Sequence, residues 1–181
     1  MCESGQCWYY VIGADDVLIS ASESWDAFAL ANGAPDMCFD KVRGRNLFEF
    51  VSEPETVLIY RQMIAKVRAG GALVRFRFRC DSPETRRLFE MTMTRQDAAD
   101  VRFDVLTIET APHETGALLD RTAPRGNDLL VVCGWCKKVR HENDWIEIDE
   151  AVRVIGLLER AVMPSISHGI CEACAEILAA S

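Results

Sequence analysis

Two Cys-x-x-Cys pairs constrain this chain more than any other feature. The first lies in "CGWCKKVR" and the second in "SHGICEAC". Together they give C-x2-C-x34-C-x2-C through Cys133, Cys136, Cys171 and Cys174. Paired cysteines serve three chemistries: a disulfide, a thiol redox couple or a metal. Two thiolates three residues apart on a tight turn can share one metal ion, and a second pair completes a tetrahedral shell of four sulfurs.

The surrounding chain helps to choose. The start "MCESGQCWYY" lacks a basic flank followed by an apolar run, and no stretch nears the roughly 20 apolar residues that span a bilayer. These features lead us to expect a cytoplasmic protein with no membrane association. Thiols there stay reduced, which weakens the disulfide reading. Cys2, Cys7 and Cys38 show no pairing pattern and are expected to be free. A net charge of −8 does not favour nucleic acid or anionic lipid as a partner.

The chain divides into an expected domain over 1–110, a linker over 111–127 and a C-terminal module over 128–181. In the first, "WYYVIGADDVLISAS" reads as two strands, Trp8 to Gly13 and Val17 to Ser20, turning at Asp15 and Asp16. Ser22 or Ser24 N-caps a short helix that Asn32, Gly33 and Pro35 stop. A longer helix places Val57, Leu58, Tyr60, Ile64 and Val67 on one apolar face and ends at Gly70 and Gly71. Three strands follow. Val74, Phe76, Phe78 and Cys80 alternate with Arg75, Arg77 and Arg79, which are expected on a solvated face. Phe89, Met91 and Met93, then Val101, Phe103 and Val105, continue the apolar side. Glu90 and Asp104 lie opposite and offset the arginines.

This order predicts an α+β fold, a five-stranded antiparallel sheet with helices on one face. Over about residues 8 to 109 the chain resembles a PAS domain, in that element order and in the runs "SESWDAFALANG", "VRGRNLFEFV", "VRFRFRCDSP" and "RRLFEMTMT". The resemblance implies a sensory or protein-interaction module with a cavity between sheet and helices, open to a small-molecule ligand. Flavin-adduct PAS domains carry a cysteine in a Gly-x-Asn-Cys-Arg-Phe run. Here "GRNLFEF" has Leu47 at that place, which excludes the adduct and leaves a non-covalent flavin open. His113, His141 and His168 all lie outside the PAS-like region, against a histidine-ligated haem within it. Cys80 is expected in the core.

Prolines and glycines in "APHETGALLDRTAPRGND" mark the linker, with one helical turn at "GALLD". The module beyond is too short to fold comfortably on packing alone. "WIEID" reads as a strand, "DEAVRVIGLLERA" as a helix and "MPSISHGI" as a returning loop. A thioredoxin-like site would need a larger sheet and would leave the second pair unexplained. Lys137 and Ala175 stand where covalent haem attachment needs histidine. We therefore expect one structural Zn2+ on Cys133, Cys136, Cys171 and Cys174, with a four-cysteine iron site as the alternative. His168 is expected to order its turn. Residues 128–181 hold five Lys/Arg against nine Asp/Glu, so Lys137, Lys138 and Arg140 are better read as offsetting the charge of a Zn(Cys)4 centre than as contacts to nucleic acid. The same arrangement resembles a small cysteine-rich module of bacterial signalling proteins, found beside PAS or receiver domains.

No phosphate-cradling loop, Gly-x-Ser-x-Gly elbow or His-Glu-x-x-His occurs. No catalytic residue is assigned. The expected function is non-enzymatic signalling or regulation through a ligand or protein partner. A thiol- or metal-redox sensor or enzyme is the alternative. A homodimer is expected, with Trp8 and Tyr9 near its interface.

Overall fold

The computed structural model of the chain describes residues 7–51, 54–70, 73–82, 85–97, 99–112, 124–157, 160 and 162–180. The fold is α+β. Strands β1 (Cys7–Ile12), β2 (Leu18–Ala21), β3 (Val74–Arg79), β4 (Thr85–Arg95) and β5 (Val101–Pro112) form an antiparallel sheet in the order β2-β1-β5-β4-β3. Helices α1 (Glu23–Ala31), α2 (Phe39–Val42) and α3 (Pro54–Gly70) fill the stretch between β2 and β3.

Period-two alternation sets the face each residue occupies. Trp8, Tyr10 and Ile12 pair with Val105, Phe103 and Val101, and all six are buried. From α1, Phe28 stacks on Trp8 at 4.0 Å between ring centroids, and Trp25 meets Tyr10 edge-on. Tyr10 also stacks on Phe103 at 4.5 Å. From α3, Tyr60 reaches Met91 and Phe76, while Met63, Ile64 and Val67 are buried. Both helices therefore cover the same side of the sheet. On the other side Arg102 lies over the Tyr9 ring and pairs with Asp104, and Arg75 approaches Glu90. The Arg75–Glu90 approach is the charge offset the alternation predicts, whereas Asp104 pairs with Arg102 of its own strand rather than with the arginine row.

Several expectations need correction. Trp8 belongs to the interior rather than to an outer seam, because its strand position faces α1. Leu58 is exposed, since at 100° per residue it falls opposite Ile64 and Val67. Cys7 is disulfide-bonded rather than free. Cys38 and Cys80 are not in disulfides. Cys80 is exposed and Arg79 buried, the reverse of the expected alternation, because carboxylates meet the Arg79 guanidinium at the end of β3.

The chain separates into two compact units, one of Met1–Phe76 with Glu90–Thr107 (and Ser181), the other of Arg77–Phe89 with Ile108–Ala180. The second unit contains β6 (Arg125–Cys133), β7 (Val139–His141), β8 (Asp144–Ile146), α4 (Ile148–Val154), β9 (Met163–Gly169) and α5 (Glu172–Ala180). Its sheet runs β8-β7-β6-β9, with β9 parallel to β6. "MPSISHGI" is thus a strand and not a loop. Parallel pairing with β6 satisfies a backbone whose small polar side chains give no strand signal. Helix α4 is shorter than expected and is followed by Gly156 at φ +65°, the left-handed turn that glycine allows. A small aliphatic core of Leu130, Val132, Val139, Ile148, Ala151, Val152 and Leu157 sits between sheet and helix. The expected turn at "GALLD" lies outside the described residues.

Candidate metal centre

The β6–β9 pairing explains why the two cysteine pairs meet. Its register sets Cys133 beside Gly169, so two parallel strands end together and each releases the chain into a Cys-x-x-Cys turn. The first turn closes on itself. The Cys133 N–H donates to the Lys138 carbonyl at 2.7 Å, and the Lys137 N–H donates to the Cys133 carbonyl at 3.0 Å. Lys137 takes φ +62° to complete it. The Gly134 N–H donates to the Gly169 carbonyl at 2.9 Å and ties this turn to the end of β9. The second pair opens α5. Cys171 precedes the helix, accepts the Ala175 N–H at 2.9 Å, and leaves Cys174 in the first turn.

All four Sγ atoms lie within 4.8 Å of one another, and Cys136 and Cys171 are 3.7 Å apart. Sulfurs about 2.3 Å from one ion at tetrahedral angles are separated by about 3.8 Å, so the group has the dimensions of a metal shell. Cys133, Cys171 and Cys174 are buried and Cys136 is half-buried. An all-sulfur set suits zinc or iron and is ill matched to the oxygen-seeking ions magnesium and calcium. The sulfur protonation fits the same role. Hydrogen bonds from Cys136 and Cys174 hold the Cys133 thiol far below its ordinary value, and that thiolate pushes Cys136 up to about 12. Cys174 is raised further by the same two neighbours. Sulfurs this close cannot all carry charge without a cation among them.

All four cysteines chosen from spacing come together. His168 does not join them: it is exposed on β9, beside Val132 in register. Lys138 lies 3.8 Å from Glu147, while the Lys137 ammonium donates to the Gly134 carbonyl at 2.9 Å.

Arg79 is the residue that sequence reasoning missed. Its backbone N–H donates to the Trp135 carbonyl, inside the first Cys-x-x-Cys turn, at 2.7 Å. Its guanidinium, with the side chain 4% exposed, pairs with Asp81 and donates to Glu147 at 3.2 Å. Asp81 in turn accepts the Arg87 N–H at 3.0 Å. The only sequence hint was a carboxylate two residues after an arginine at a strand end.

Neither a protein-family model nor a curated protein matches the chain. Among solved structures it is similar to a domain of an HTR-like protein from Haloarcula marismortui ATCC 43049. That similarity has 13% identity over 57% of this chain and 98% of that one, with a TM-score of 0.37. Among the described residues, no helix is long and apolar enough to cross a membrane.

Proposed function

We propose that the protein is a cytosolic signalling or regulatory component without a catalytic step of its own. In this reading a PAS-like unit binds a ligand or protein partner, and a structural Zn(Cys)4 site holds the C-terminal module in shape. The observation that carries the metal half is the convergence of Cys133, Cys136, Cys171 and Cys174 in one group of ligand dimensions. The PAS half rests on the resemblance over residues 8 to 109. The Cys7 disulfide is the one feature that runs against a reducing compartment.

Elemental analysis of the purified protein tests the metal. About one zinc per chain and a colourless solution are expected. A coloured, iron-containing protein would replace the structural role with a redox one, the reading that stands second.

The proposed assembly is a homodimer. Since Trp8 lies in the interior, the seam is narrowed to the outer face of the sheet around Tyr9, Arg102 and Asp104. Light scattering decides it: a monomer at tens of micromolar leaves only a different protein as partner.

A further inference from the structure

The second unit carries a cavity of about 420 Å3 beside the metal turn, within the size range of small-ligand sites. Arg125, Lys137 and His168 line it with nitrogen donors, and Val132 and Ile166 supply an apolar wall. Asp81 and Ser165 also line it, each with a partner in the fold. Asp81, its side chain 1% exposed, is neutralised by Arg79 and accepts the Arg87 N–H. Ser165 donates to the Gly126 carbonyl at 2.7 Å.

The two permanent cations are held in place by the backbone. Arg125 donates to the Pro164 carbonyl at 3.2 Å, and Lys137 to the Gly134 carbonyl at 2.9 Å. An ammonium has three donors, so that bond leaves Lys137 able to meet a further acceptor. Residues 128–181 carry nearly twice as many acidic as basic side chains. Gathering Lys137 and His168 around one cavity, together with Arg125 just before that stretch, runs against that balance.

We propose that this cavity binds a phosphate monoester. Arg125, Lys137 and His168 address its terminal oxygens, and the organic group lies on Val132 and Ile166. Three donor side chains match three terminal oxygens, whereas a carboxylate offers only two. The site is separate from the sheet-and-helix interior of the first unit, and stands or falls independently of what that interior binds.

The test is calorimetric titration of the purified, zinc-loaded full chain with phenyl phosphate, inorganic phosphate and benzoate. We expect one saturable site, tightest for phenyl phosphate. Arg125→Gln and His168→Asn should each weaken it about tenfold or more, the size of one lost charge-assisted hydrogen bond, with zinc content unchanged. His168 is exposed, so His168→Asn provides a variant with little burden on folding. Arg43→Gln, exposed on the other unit, should bind as the parent does. The proposal is overturned if no saturation is seen, if benzoate binds as tightly as phenyl phosphate, or if both cavity variants bind normally.

Discussion

The two units are stabilised in different ways. In the first, large rings interlock: Trp8 with Phe28, Tyr10 with both Phe103 and Trp25, two of them supplied by α1. The second packs a cluster of seven aliphatic residues between sheet and helix, adds the buried rings of Phe89 and Trp135, and carries four sulfurs at the end of its sheet. Packing alone can hold the first unit. The second relies mainly on smaller aliphatic side chains, and a metal on its four cysteines would add the stability that interlocked rings supply in the first.

The strongest way to break this contrast is to remove the metal proposed for the four cysteines. Structural zinc in small domains contributes an apparent ~10–16 kcal/mol, more than so small a core can replace. Cys136→Ser, or chelation, should abolish amide protection in β6 to β9 while β1 and β5 keep theirs. Protection should also fall over Arg77–Phe89, because that hairpin tip belongs to the second unit and Arg79 bonds the metal turn. Hydrogen exchange read by mass spectrometry separates these segments. If β6 to β9 stay protected in zinc-free protein, the aliphatic core suffices and the contrast fails.

Two substitutions sharpen the comparison from opposite sides, each expected to cost about 3–5 kcal/mol. Phe103→Ala removes a fully buried ring stacked on Tyr10, and should lower the stability of the first unit without altering zinc content. Arg79→Met leaves the buried Asp81 carboxylate without its guanidinium, and should loosen the second unit. Replacing both, as Arg79→Met with Asp81→Leu, should recover most of the loss, because no uncompensated charge remains. Denaturant titration with a probe in each unit gives the numbers. A cost below about 1 kcal/mol for Arg79→Met would show an ordinary surface pair rather than a buried latch.

The same residues show what was legible in the sequence. The meeting of the four cysteines could be read from the sequence, because two Cys-x-x-Cys pairs at fixed spacing have few uses that keep them apart. The central strands were also readable: Met91, Met93, Val101, Phe103 and Val105 follow their alternation onto the buried side. Arg79 was not, since its partner Glu147 lies 68 residues away and period two alone assigns it to solvent. Strand β9 was hidden for a related reason. Pro164, Ser165 and Ser167 have low strand propensity, and only pairing with β6 makes them extended. The cavity with Arg125, Lys137 and His168 could not be foreseen either, for it depends on that same parallel pairing.

The smallest expected effect lies in "GRNLFEF", where the first unit relies on local polar bonds rather than rings. Asn46 caps the short turn Leu47–Glu49: its side chain accepts the Phe48 N–H, and Glu49 accepts the Asn46 N–H, each at 3.0 Å. The Asn46 amide also donates to the Asp15 carbonyl, fixing the segment to the β1–β2 turn. Asn46→Ala should therefore cost about 1 kcal/mol at neutral pH. Glu49 makes part of this contribution dependent on pH. The Arg45 side chain, and then the Asn46 N–H, hold its carboxyl below the ordinary glutamate value of 4.5. A depressed folded value means that the stabilisation is complete above the unfolded value and is lost as pH falls through the folded one. Parent and Glu49→Gln should thus differ in melting temperature at pH 7 and converge as the pH drops below that range. Curves that stay parallel into acid would show that the Glu49 charge contributes nothing, and that the cap acts through Asn46 alone.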